Sequence, residues 1–259
     1  MAAEPARCPI CVDERQYVGL DGQRWTTLEE LRRDYRNTTH EEEPGLTTFH
    51  TEPHFAIGQR AFLIESPGGN ILWDCLALLD EATARFIHAR GALAAIAISH
   101  PHYYTTMVEW SREFGGAPVF LHEADRQWVM RPDPAIHFWS GDTKQLHDGL
   151  TLIRCGGHFE GGTVLHWPAG VGGCGALLTG DILQVVPDLG WVSFMYSYPN
   201  YIPLNARAVK RIEAAVEPFA FDRIYGAFPK MTVAEDGKAA VRRSVDRYLR
   251  AIRPPESSA

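Results

Sequence analysis

Nowhere in the 259-residue chain does an apolar run approach the roughly 18 to 20 residues that a bilayer-spanning helix needs, which argues against a helical membrane protein. The opening MAAEPARCPICVDER holds no apolar stretch of signal-peptide length, so the expectation is neither secretion nor membrane insertion. Positive charge is not in excess. With 25 Lys and Arg against 32 Asp and Glu, the formal net charge is -7, which gives no electrostatic reason to expect nucleic acid as a partner; a small-molecule substrate is expected instead. Cysteine is sparse and odd in number. The five thiols, Cys8, Cys11, Cys75, Cys155 and Cys174, make a poor disulfide framework and fit a reducing compartment, with the cytoplasm as the expected location. No internal repeat and no low-complexity block is found. What is present is a 45% hydrophobic content, sufficient for a substantial core in a globular, enzyme-sized protein.

Residues 1–50 are polar and charged and read as an N-terminal extension packed on a core that starts at 51. Its one helix signal is WTTLEELRRDYRN, where Thr26 and Glu29, or Thr27 and Glu30, have capping-box spacing. The main domain is placed at 51–252 and a disordered tail at 253–259. FAIGQRAFLIES and GNILWDC read as strands of a meander, Asp80 as the cap of a helix running to about Arg90, and LAAIAIS as a buried strand ending at Ser99 and His100. Helices are expected at about 106–114 and 123–130, then short strands with glycine turns over 144–180. The last helix presents Val241, Val245, Tyr248, Leu249 and Ile252 on one face. This order implies an α/β class with two sheets and helices outside.

The chemistry-bearing residues sit at strand ends. His100 and His102 flank one proline after a buried strand, where residues two apart on an extended segment point the same way. CGGHFEGGT places His158 in a glycine-rich turn between strands. LLTGD places Asp181 at the end of another buried strand.

In this order, HxH, GGH and TGD resemble the metal-binding segments of the metallo-β-lactamase superfamily, and the strand pattern agrees from about residue 50 to 252. The resemblance implies a four-layer αββα sandwich with a metal at one edge. It implies His100, His102 and His158 as ligands, with Asp181 as a fourth ligand or orienting a water; a neutral three-nitrogen set suits zinc. A metal-dependent hydrolase is then expected, with metal-bound water attacking an ester, thioester or lactone-like substrate. The chain departs from the superfamily's HxHxDH, reading His100-Pro101-His102-Tyr103-Tyr104-Thr105, and near the last strand Ala227 or Phe228 stands where a histidine is usual. One ion is therefore expected in place of two.

Tyr104, at the missing aspartate, is a poor base with a pKa of about 10, but a hydrogen bond from it to a developing oxyanion gives it a catalytic role. The alternative is that Tyr103 and Tyr104 fill the volume of the second metal. His100, His158 and Asp181 are also the positions at which the persulfide-dioxygenase branch holds a single iron, so a non-heme iron oxidoreductase stays open, as does a catalytically degenerate ligand-binding protein. Finally, Cys8 and Cys11 read either as half a zinc knuckle that His40, His50 or His54 would complete, or as a turn with two reduced cysteines. The aromatic segment WVSFMYSYPNYIPL has the alternation of a core strand or of a pocket wall.

Overall fold

The computed structural model describes residues 6–253, so the tail at 253–259 lies almost wholly outside the described residues. The first helix, α1 (Leu28–Asp34), starts with one of the two possible capping boxes. The Thr27 hydroxyl accepts the Glu30 N–H, and the Glu30 carboxylate accepts the Thr27 N–H. Strands β1 (Arg36–Glu43) and β2 (Leu46–Glu52) follow and pair antiparallel. The main sheet thus begins at Arg36, inside the segment that the sequence reading assigned to the extension. Its first strand lies at the sheet edge and is polar on both faces, so no apolar alternation announces it.

The sheet continues through β3 (Arg60–Ile64), β4 (Asn70–Trp73), α2 (Glu81–His88), β5 (Leu93–Ala97), α3 (Met107–Glu113), β6 (Val119–His122) and β7 (Ile136–Trp139), in sequential order. Strands β1 to β4 are antiparallel neighbours and β4 to β7 parallel ones. Parallel pairing requires crossovers. Helices α2 and α3 provide two, and the third is a six-residue 3-10 segment, Glu123–Trp128, where a regular helix was expected. Asp80 caps α2 by accepting the Thr83 N–H at 2.8 Å.

The second half runs β8 (Thr143–Gln145), β9 (Thr151–Arg154), β10 (Thr163–Trp167), a short turn α4 (Gly170–Gly173) and β11 (Ala176–Leu178). It then makes two small ladders, β12 (Gln184–Val185) with β13 (Val192–Ser193) and β14 (Met195–Ser197) with β15 (Ile202–Pro203). It ends with α5 (Ala206–Val216), β16 (Arg223–Tyr225), β17 (Thr232–Val233) and α6 (Gly237–Ala251). The second sheet has the order β17-β16-β11-β10-β9-β8.

Strand alternation divides the apolar side chains among three clusters. Leu63, Leu72, Ile96 and Val119 face α2 and α3. Phe62, Ile64, Ile71, Trp73 and Ala97 turn the other way and meet Leu152, Leu165, Leu178 and Tyr225 between the sheets. Ile153, Val164, Leu177 and Ile224 pack under Val209 and Ile212 of α5 and Val241 and Val245 of α6. Three apolar seams separate four layers, and the architecture is the αββα sandwich. Each fully buried large aliphatic in these seams contributes about 1.5–3 kcal/mol.

One polar joint crosses between the sheets. Arg60 of β3 is 1% exposed. Its Nε donates to the Gly226 carbonyl at 2.9 Å, its Nη2 to the Met231 carbonyl at 3.0 Å and Thr232 Oγ1 at 3.1 Å, and its Nη1 to Glu42 at 2.7 Å. Burial draws its pKa down to about 10 against the pull of Glu42. Among the described residues no helix is long and apolar enough to cross a membrane.

Candidate metal centre

Four side chains from three turns meet at one edge of the sandwich. Beyond β5, His100 keeps an extended backbone (φ -168°) and opens a tight 3-10 turn, Pro101–Tyr103, that carries His102. The two imidazoles converge through this turn, and not through the extended alternation expected from the sequence. His158 follows Gly156 and Gly157 after β9, both at positive φ. A Cβ at Gly157 would come within 2.9 Å of Ile212 and Leu204, so glycine there is required by backbone and space alike. Asp181 follows β11. At the preceding Gly180 a Cβ would lie 2.5 Å from Ser99 Oγ, so its absence lets the aspartate turn approach the histidine turn.

One ligand atom from each of His100, His102, His158 and Asp181 lies within 4.8 Å of the others, and among the described residues this is the one such group of three or more His, Cys, Asp or Glu. The three imidazole centroids are 5.0 to 5.2 Å apart, each pair edge to face. His158 Nδ1 lies 2.8 Å from the Tyr196 carbonyl, which can only accept, so the proton sits on Nδ1 and Nε2 presents a lone pair to the centre. His100 Nδ1 is 2.8 Å from Ser99 Oγ, and its Nε2 is 3.5 Å from Asp181 Oδ2. The Nε2 atoms of all three histidines and Asp181 Oδ1 are buried without a hydrogen-bond partner. Four unpartnered donor atoms aimed at one point fit a transition-metal ion.

Electrostatics keeps three of these donors free of protons at neutral pH. Burial, helped by His100, brings the His158 imidazole down to about 4, and burial holds His102 well below the ordinary range. For Asp181 burial favours the neutral acid, but His100 and His158 outweigh it and the carboxyl stays below its usual value.

The surroundings include residues that the sequence reading passed over. Asp74, directly after β4 and wholly buried, accepts the Ser99 N–H at 2.7 Å and so fixes the residue that orients His100; burial pushes its carboxyl up to about 7. An aspartate closing a buried strand in LWDC was the available signal. Tyr103, and not Tyr104, packs on His100, with centroids 4.5 Å apart and its hydroxyl facing Asp181 without closing a hydrogen bond. Tyr104 is buried in the seam under α2 and α3, because the turn at 101–103 points it back towards the core. Tyr104, for which a catalytic role was expected, is not among the residues lining the cavity over the centre.

That cavity, of about 510 Å³, opens over His102, His158 and Asp181 and is walled by Tyr198, Phe228 and Arg15. In the aromatic segment the outcome is divided. Phe194 is in the core, whereas Tyr198 lines the cavity and donates from its hydroxyl to the Asp181 carbonyl at 2.9 Å. Cys8 and Cys11 remain free thiols, and among the described residues no third ligand joins them. His50 is held by Thr38 and Glu52, and His54 Nε2 lies 3.0 Å from the Ala56 carbonyl.

The sandwich and the position of its centre define a metallo-β-lactamase fold. The solved DIM-1 metallo-β-lactamase exposed to ceftazidime is 12% identical, with a TM-score of 0.62 over 83% of this chain and 97% of that one. The mono-zinc form of FIM-1 from Pseudomonas aeruginosa is 13% identical, with a TM-score of 0.60 over 82% and 95%. The Cronobacter sakazakii metallo-β-lactamase with a HARLDQ motif is 18% identical, with a TM-score of 0.54 over 82% and 92%. These likenesses show the fold. No family model matches the chain. The chain belongs to the same family as uncharacterized protein YmaE of Bacillus subtilis (strain 168), to which it is 53% identical over 250 residues, 96% of this chain and 90% of that protein.

Proposed function

We propose that the chain is a metal-dependent hydrolase with a single ion held by His100, His102 and His158, and with Asp181 as a fourth ligand or orienting a water. The observation that carries this reading is the set of four buried, unpartnered donor atoms. Left without a ligand, each would cost about 1–3 kcal/mol of desolvation. Three neutral nitrogens favour zinc. Zinc held by these residues would supply Lewis acidity, lowering the pKa of water to about 7 for use on an ester, thioester or lactone carbonyl.

The chain's own residues provide the rest. Tyr196 holds His158 in the tautomer with Nε2 free, and Ser99 fixes His100. Asp181 is ionised at neutral pH, so it can orient a water. The cavity admits a small molecule. A single ion is supported by the HxHxYT sequence, with Tyr104 turned into the core, and by Phe228 in the cavity wall. The sparse, odd set of five cysteines in the sequence supports a cytoplasmic location. Iron on His100, His158 and Asp181 alone would leave the buried Nε2 of His102 unused, which favours the three-histidine set.

The test is metal content by mass spectrometry of protein purified without added metal, for wild type, His158→Ala and a Cys8→Ser/Cys11→Ser double variant. About one zinc per chain is expected, lost together with ester or thioester turnover in His158→Ala only. Iron lost in that variant would favour the oxidoreductase. Zinc lost only with the cysteines would overturn the reading, leaving the cleft as a metal-free binding site.

A further inference from the structure

The N-terminal segment contributes a side chain to this centre. The Arg15 side chain is only 11% exposed, and its Nη1 donates to the main-chain carbonyl of His158 at 3.0 Å. Its guanidinium lies over the ring of Phe159, 3.9 Å from the centroid, with Trp128 and Tyr196 at 5.2 and 5.1 Å. Phe159 in turn packs edge-on against His102 and His158, both at 5.0 Å. Asp13 grips the guanidinium with both carboxylate oxygens, at 2.6 and 2.8 Å, and fixes the plane of the fork.

The residue between them closes a loop of contacts. The Glu14 carbonyl accepts from Ser197 Oγ and Asn200 Nδ2, both at 2.6 Å. Ser197 follows Tyr196, whose carbonyl sets the His158 tautomer. Residues 13–15 therefore tie down both sides of His158: its own carbonyl through Arg15, and its ring partner through Glu14. His158 follows two glycines at positive φ, in a turn also tied by the Gly156 N–H to the Gly162 carbonyl at 2.9 Å, and the 13–15 contacts add to these.

We propose that Arg15 is a positioning residue for the metal centre, and that the segment Asp13–Arg15 is a clamp holding His158 in its ligating orientation. The proposal rests on the metal reading above. A lost orienting contact to a ligand weakens metal binding by about 10- to 100-fold. Arg15→Met keeps the apolar stem over Phe159 but removes the fork, and its zinc Kd is expected to rise about tenfold or more. Arg15→Lys keeps the charge without the planar fork and is expected to fall between Arg15→Met and wild type.

The experiment measures zinc Kd by chelator competition for wild type, Arg15→Met, Arg15→Lys and a control outside the centre, Arg90→Met. Arg90 also sits over an aromatic ring, Phe86, and pairs with a carboxylate, Glu65. In parallel, hydrogen exchange of residues 155–162 is followed in the metal-free proteins. Weaker zinc binding and faster exchange in Arg15→Met, both absent from Arg90→Met, support the clamp. A folded Arg15→Met with zinc Kd within twofold of wild type and unchanged exchange overturns it. Wild type that binds no zinc would sink the metal reading, and the clamp would then be judged on exchange alone.

Discussion

Zinc binding should be unusually insensitive to acid. A metal competes with protons for each imidazole lone pair, so affinity falls wherever a ligand histidine protonates. For an imidazole near pKa 6.5, lowering the pH from 7.5 to 5.5 cuts the neutral fraction about tenfold, and three such ligands together lose about a thousandfold, or about 4 kcal/mol. Here burial has already removed the proton from two of the proposed ligands. His158, brought to about 4, stays almost wholly neutral at pH 5.5, and His102 lies well below its ordinary value. Because these values are lowered, the competition is postponed to more acid solution. The expected loss of zinc affinity between pH 7.5 and 5.5 is no more than about tenfold. Chelator competition at both pH values, corrected for the chelator's own protonation, measures it. A thousandfold loss would refute the argument that burial holds these imidazoles neutral.

Arg60→Ala removes one member of a buried pair and strands Glu42, and should destabilise the protein by about 3–5 kcal/mol, read from denaturant unfolding. Tyr103→Phe deletes a buried hydroxyl that has no hydrogen-bond partner, so stability should be unchanged or rise by up to about 1 kcal/mol in the same assay. Gly157→Ala places a Cβ against Ile212 and Leu204 at positive φ; a loss of about 2–4 kcal/mol, with weaker zinc binding, is expected. Ser99→Ala frees His100 Nδ1 and should weaken zinc binding about tenfold in a chelator titration, with little change in melting temperature.

Much of the centre was readable because its residues sit at the ends of strongly apolar strands. LAAIAIS and ALLTG are buried and regular, and the polar residues that follow them have no place in a core, so His100 and Asp181 stand out. The helix caps at Thr27 and Asp80 were legible for a local reason, as their partners lie three residues away. Strand β1 was hidden because an edge strand exposed on both faces shows no period of two. Which of Tyr103 and Tyr104 packs on His100 was not legible, because the path through Pro101–Tyr103 is a tight turn and a one-residue rotation there decides which ring meets it. Arg15 had no signal at all. Its significance comes from a carbonyl 143 positions away, and no local pattern encodes such a contact.

The donors are divided evenly along the chain. His100 and His102 follow β5 of the first sheet, whereas His158 and Asp181 follow β9 and β11 of the second. Neither half of the polypeptide owns a complete centre. A chain cut near Gly141, between β7 and β8, would leave two fragments with two donors each, and an ion shared across the join would act as a latch between them. On the proposed metal reading, occupancy of the centre would report whether the two halves of the protein have found each other.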